Sequence, residues 1–132
     1  MSRRWTQMNA DDLNSLTERI IGCAFKVSNT LGSGFLEKVY ENALALELRK
    51  AGIPAEQQSP VQVHYEGQLV GDFAVDILVE SNVIVELKAV RGVDDAHTAQ
   101  CINYLKATGL RICLLLNFGK PRLEVKRIVR DF

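Results

Sequence analysis

The run Ile112–Leu116, ICLLL, constrains the fold more than any other stretch of this chain. Five apolar residues in a row leave no polar face to turn to water, so a strand with this pattern needs cover on both sides. The rest of the sequence can supply it. Leu16, Ile20, Cys23 or Ala24, and Val27 recur at helical spacing, with Asn14 or Ser15 as a cap, and predict a helix to about Leu31. Gly32-Ser33-Gly34 stops it. A second helix is expected from about Phe35 to Lys50, with Leu36, Val39, Ala43, Leu46 and Leu48 toward a core, closed by Gly52 and Pro54. From about Gln57 the period becomes that of strands: Val61–Tyr65, then from Gln68 through a turn or bulge near Gly71 into Phe73–Val79, then Val83–Ala89. A third helix, capped by Asp94 or Asp95, runs to about Thr108, and its core stripe is Ala96, Ala99, Ile102 or Cys101, and Leu105. The strand 111–117 and a last strand over about Leu123–Val129 follow. The expected order is α-α-β-β-β-α-β-β, an α/β fold whose mixed sheet has helices packed on it.

Composition sets the class. A length of 132 residues suits one domain, with 47% hydrophobic and 24% charged residues as in a water-soluble globular protein. No apolar run reaches the roughly 20 residues of a membrane span, and the two N-terminal arginines have no apolar stretch behind them. Cys23, Cys101 and Cys113 form no CxxC pair and no zinc spacing, so buried reduced thiols and a cytoplasmic location are expected. The formal net charge is zero. That argues against tight, non-specific binding of nucleic acid, while leaving room for an enzyme that touches a few phosphates. Lys120, Arg122, Lys126, Arg127 and Arg130 cluster late, against Glu124 and Asp131. They fit either a charged edge strand or a phosphate-contacting surface.

The chemistry is concentrated in Val75–Val90, VDILVESNVIVELKAV. Two apolar strands around a short turn carry Asp76, Glu86 and Lys88 in their middle. Side chains alternate along a strand, so Ala74, Asp76 and Leu78 share a face, as do Ile84, Glu86 and Lys88. A three-residue loop at Glu80–Asn82 pairs Val79 with Val83, Leu78 with Ile84, Ile77 with Val85, and Asp76 with Glu86. Opposed residues lie with Cβ atoms about 4.5–5.5 Å apart. Two such carboxylates repel, and a cation between them would relieve the repulsion. With no Cys or His beside them, the oxygen ligands select Mg²⁺ or Mn²⁺ over zinc. The competing reading is a buried Asp/Glu–Lys ion pair that fixes register. On the third helix Gln100 and Tyr104 lie one turn apart, with His97 near the same face. On the second helix Glu37 stands among apolar neighbours, three residues before Tyr40.

These residues resemble a known family. GFLEKVY at Gly34–Tyr40 matches the pattern that names the GxxExxY family. Asp76, VELK around Glu86 and Lys88, AQCINYL around Gln100 and Tyr104, LLLNFG at Leu114–Gly119 and KRIV at Lys126–Val129 follow in the family's order, from about Ser15 to Arg130. Val75 stands where the superfamily often has proline, and Ser28 where relatives often have histidine. The resemblance implies a PD-(D/E)XK nuclease with a restriction-endonuclease-like α-β-β-β-α-β core and an extra N-terminal helix. It implies Asp76 and Glu86 as metal-binding carboxylates, with Glu37 as a third, and Lys88 as the catalytic lysine. Gln100 and Tyr104 become a QxxxY motif lining the site. The expected function is Mg²⁺-dependent (or Mn²⁺-dependent) hydrolysis of nucleic acid, DNA ahead of RNA, with Tyr40, His97, Lys120, Arg122, Lys126 and Arg127 as further contacts. A homodimer or partner protein would help so small a domain hold a duplex. The alternative is a module of this fold that binds nucleic acid or protein without cutting.

Overall fold

The computed structural model describes residues 8–130; the N-terminal arginines and Asp131 lie outside them. The elements are α1 (Ala10–Leu31), α2 (Glu37–Lys50), β1 (Ala55–Tyr65), β2 (Gln68–Val79), β3 (Val83–Lys88), α3 (Asp95–Thr108), β4 (Ile112–Asn117) and β5 (Glu124–Val129). They follow the expected order. The strands form one sheet in the order β1-β2-β3-β4-β5. All neighbours are antiparallel except β3 and β4. A parallel pair cannot be joined by a tight turn, and α3 makes the crossover.

The run that opened the sequence is covered as it requires. Ile112, Leu114 and Leu116 of β4 join Ile77, Val79, Val83, Val85 and Leu87 under α1 and α2. Cys113 and Leu115 point the other way, into a smaller cluster with Ile84, Ile128 and the α3 residues Cys101 and Leu105. The β2–β3 hairpin has the register expected of a three-residue loop: Val79 pairs with Val83, Leu78 with Ile84 and Ile77 with Val85. Glu80 and Ser81 take the left-handed conformation that closes it. The β1–β2 pairing shifts between Val63 and His64, which places the expected irregularity opposite Gly71.

Three helical expectations are corrected. α1 begins at Ala10, a turn before the predicted cap, because Asn9 accepts the Asp12 N–H through its side chain at 2.8 Å. α2 buries Tyr40, Glu41, Leu44, Ala45 and Leu48. Leu36 is 80% exposed, and Val39 and Leu46 are also exposed. The cause is Tyr40, whose ring stacks on Phe118 at 4.7 Å between centroids and turns the helix about its axis. On α3, Cys101 and Leu105 face the sheet, whereas Ala96, Ala99 and Ile102 are exposed. Asp94 is the N-cap, and its partner in the capping box is His97: Asp94 Oδ1 accepts the His97 N–H at 3.1 Å and His97 Nδ1 accepts the Asp94 N–H at 3.2 Å.

Candidate active site

Asp76 sits where the sheet comes apart on both sides. The β1–β2 pairing runs through Gln57–Ile77 and resumes at Ser59–Val75, skipping Gln58 and Asp76. The β2–β3 pairing ends at Ile77–Val85, one step short of Asp76–Glu86. The two carboxylates replace the missing ladder. Glu86 Oε1 accepts the Asp76 backbone N–H at 2.9 Å, and Asp76 Oδ2 accepts the Leu87 backbone N–H at 2.9 Å. Each side chain thus spends one oxygen on the other strand's backbone. Among the described residues, no hydrogen-bond partner engages Asp76 Oδ1 or Glu86 Oε2.

The alternation expected along β2 fails at this point. Val75 belongs to the cluster under α3, yet Ile77 and Val79 belong to the cluster under α1 and α2. Strand β1 switches in step. Gln57 reaches α2, while Val61 packs in the cluster under α3. The register was legible in the sequence; the reversal was not.

Burial decides the electrostatics. Glu86 is 4% exposed, and its carboxyl is pushed up to about 8, first by burial and then by the negative charge of Asp76. Asp76 is raised as well, by burial first, against the Leu87 N–H that lowers it; the charges of Glu41 and Glu37 raise it further and that of Lys88 lowers it. Tyr104 is raised by burial first and then by the charges of Glu86 and Asp76. The pair is short of positive charge, as two facing carboxylates without a cation must be.

Lys88 ends β3, half-buried, and its strand end is pinned from behind. The Lys88 carbonyl accepts the Phe118 N–H at 2.8 Å. The Asn117 side chain accepts the Val90 N–H and donates to the Val90 carbonyl, both at 3.0 Å. A Cβ at Gly119 would lie 2.3 Å from the Val90 nitrogen and oxygen, so only glycine fits there. The LLLNFG stretch therefore clamps the chain that leaves the site.

The other candidates separate. Gln100 and Tyr104 are half-buried on α3 and line a groove of about 430 Å³ with Val63, Phe73, Ala99 and Asn103; the Phe73 and Tyr104 rings meet edge to face at 6.4 Å. Glu37 is exposed on the first turn of α2. Among the described residues, no three His, Cys, Asp or Glu side chains are gathered as a ready-made metal site, so Glu37 does not complete one with Asp76 and Glu86. Tyr40, expected as a nucleic-acid contact, is fully buried; its hydroxyl donates to the Gly32 carbonyl at 2.6 Å and accepts the Phe35 N–H at 3.1 Å. His97 is engaged in the α3 cap. The late basic residues do not form one surface. Lys126 donates to Thr98 on α3 at 3.0 Å, Arg127 reaches Asn14 on α1, and Lys120 lies 4.0 Å from Glu124, along an edge strand two strands from β3. Sequence reasoning missed Glu41, which is 4% exposed. It accepts from Gln57 at 2.8 Å, Gln58 at 3.0 Å and Lys38 at 3.1 Å.

Comparison with known proteins agrees with this architecture. Residues 14–128 match the family model of the PD-(D/E)XK nuclease superfamily. No curated protein matches the sequence. The solved structure of SSO0001 superposes with a TM-score of 0.57 at 17% identity, over 90% of this chain and 59% of that one. The chain thus spans about three-fifths of that protein's length. An alkaline exonuclease from Laribacter hongkongensis, LHK-Exo, superposes with a TM-score of 0.51 at 15% identity, over 96% of this chain and 73% of that one. The shared architecture is the restriction-endonuclease-like fold.

Proposed function

We propose, because the chain belongs to the PD-(D/E)XK nuclease superfamily, that it is a metal-dependent nuclease of the GxxExxY kind, hydrolysing phosphodiester bonds in DNA ahead of RNA. Residues 1–132 act as one nuclease domain in this reading. The observation that carries it is the crossed pair of hydrogen bonds at half-buried Asp76 and buried Glu86, which leaves one oxygen of each carboxylate without a hydrogen-bond partner among the described residues.

That donor set fits a hard divalent cation. Asp76 and Glu86 would hold Mg²⁺ or Mn²⁺, with water and phosphate oxygens as the remaining ligands. When bound, the ion supplies an acidified water and positive charge for the scissile phosphate. The protein's own groups do the rest. The ionised form of Glu86 would be favoured by a bound cation, since a metal's charge reverses the cost of ionising a ligand. The Lys88 ammonium orients the water or the phosphate and stabilises charge on the phosphoryl oxygens. The Tyr104 phenol, held protonated by its surroundings, donates to the substrate, and the Gln100 amide fixes its orientation. Glu37 acts at longer range, through its charge. A second copy or a partner protein widens the surface that holds the substrate.

The alternative is a binding module that does not cut. It draws on the zero net charge and on the exposed apolar residues Tyr65, Leu69, Val70 and Phe73 at the β1–β2 hairpin. No described helix is long and apolar enough to cross a membrane. A cleavage assay separates the two readings. Wild type and Lys88→Ala are incubated with labelled single-stranded, duplex and branched DNA and with RNA, each with Mg²⁺, Mn²⁺ or EDTA. Metal-dependent products from wild type alone are expected. Folded wild-type protein that cuts none of these substrates would sink the enzyme reading in favour of the module.

A further inference from the structure

Two energetic costs meet at one point of β1. Gln58 has a φ of 51°, a left-handed backbone that residues other than glycine adopt at a penalty. Glu41, on the neighbouring helix, is a buried carboxylate, which is unfavourable unless hydrogen-bonded. The two are bonded to each other, Gln58 Nε2 donating to Glu41 Oε1 at 3.0 Å. Gln57 and Lys38 occupy the other oxygen, at 2.8 and 3.1 Å. By register, Gln58 lies directly opposite Asp76.

We infer that Glu41 and Gln58 are positioning residues for Asp76, a clamp from α2 that holds β1 reversed opposite the catalytic strand. If β1 ran on in ordinary alternation, Gln58 and Asp76 would join the ladder like their neighbours. Val75 would then lie on the same face as Ile77, two residues away. Instead both strands switch faces at this step, Gln57 toward α2 and Val61 toward α3, Ile77 toward α2 and Val75 toward α3. The switch frees Asp76 from backbone pairing and leaves its N–H for Glu86 and its carboxylate for the Leu87 N–H. The clamp therefore sets the spacing of the two carboxylates without touching either. Its catalytic meaning rests on the nuclease reading above; its structural effect does not.

The test reads the backbone first. Amide hydrogen exchange of Asp76 and Leu87 is followed by NMR in metal-free wild type, Glu41→Leu, Gln58→Gly and Glu41→Gln. Glu41→Leu fills the buried space without an acceptor. Gln58→Gly permits the left-handed backbone without the side-chain link. Both are expected to speed exchange at Asp76 and Leu87 at least about tenfold relative to core amides such as Leu114, and to weaken Mn²⁺ binding by about 10–100-fold. Glu41→Gln retains one acceptor oxygen and is expected to restore most of the protection. Unchanged Asp76 and Leu87 exchange in Glu41→Leu overturns the clamp and leaves the cluster a packing feature of α2. Should Glu41→Leu fail to fold, Gln58→Gly decides by the same criterion. A wild type that never cuts would count against the nuclease reading and leave the exchange result standing.

Discussion

Against one face of the sheet, α1 and α2 bury Leu13, Leu16, Ile20, Ala24, Val27, Tyr40, Leu44 and Leu48. Against the other, α3 buries Cys101 and Leu105 alone. The first face is thick and apolar. The second is thin, opens into the groove beside Gln100 and Tyr104, and takes the side of β3 that carries Ile84, Glu86 and Lys88. A raised carboxyl at Glu86, a further acid beside it and a sheet with broken pairing are all destabilising. The thick face is what lets the molecule hold them. Stability drawn from the apolar packing of α1 and α2 lets the facing carboxylates be kept on the thinner side.

The strongest way to break that division is a mirrored pair of variants. Asp76→Asn should lower the cleavage rate by about a hundred- to a thousand-fold, with the melting temperature close to that of wild type. Leu44→Ala should cost about 2–5 kcal/mol of stability, while the rate per folded molecule stays unchanged. Urea titration and single-turnover rates measure both. If Asp76→Asn unfolds the chain, or Leu44→Ala kills turnover in folded protein, the two faces are not separable. Leu105→Ala then sharpens the contrast within stability alone. It removes as many atoms, but under a helix that buries only one other side chain, so about 2 kcal/mol is expected, less than at Leu44.

The next effect is one of pH and follows from Glu86. Its carboxyl is held near 8 in the folded protein against an ordinary value of 4.5. The folded state therefore binds more protons than the unfolded state between those values. The contribution of Glu86 to stability is fully present below about 4.5 and is lost as pH rises through about 8. Melting temperature without metal should fall across that window. Glu86→Gln should flatten the slope and stabilise the protein at pH 8 by about 1–2 kcal/mol, as removal of a functional strain commonly does. Mg²⁺ should raise the melting temperature of wild type at pH 8 and leave Glu86→Gln unmoved. A flat profile in wild type would place the cost of the site elsewhere.

The thick face and the carboxylate pair were legible for the same reason. The unbroken apolar run of β4 and the loop length of the hairpin are properties of the chain itself; the first demands cover on both faces and the second fixes which residues oppose each other. Neither signal reaches the reversal at Gln58. Glutamine carries no signature of a left-handed backbone, and its conformation depends on an acceptor that α2 brings from 17 positions away. Glu41 reads as one more polar helix residue because the glutamines that bond it lie 16 and 17 positions away. Tyr40 misled in the opposite direction. As part of a motif it suggested the site, whereas its ring supports the site through Phe118 and the NFG turn. His97 carried a signal that was available: an acidic cap followed three residues later by a side chain able to reach back, with imidazole in the place glutamate usually takes.

The smallest effect tests how far the thick face extends. Apolar spacing alone starts α1 near Asn14 or Ser15, and on that reading Leu13 is a loop residue. The Asn9 cap starts it one turn earlier and commits Leu13 to the core, where it is 2% exposed. Asn9→Ala should then cost about 1 kcal/mol, because the Asp12 N–H loses its side-chain acceptor and the first turn frays. Asn14→Ala should cost less. Within a helix alanine is the better residue by a few tenths of a kcal/mol, which offsets the loss of the Arg127 contact. Thermal denaturation of the two variants decides the order. The reverse order would put the cap at Asn14, remove Leu13 and its turn from the face that stabilises the molecule, and make the two sides of the sheet less unequal than the buried residues of α1 imply.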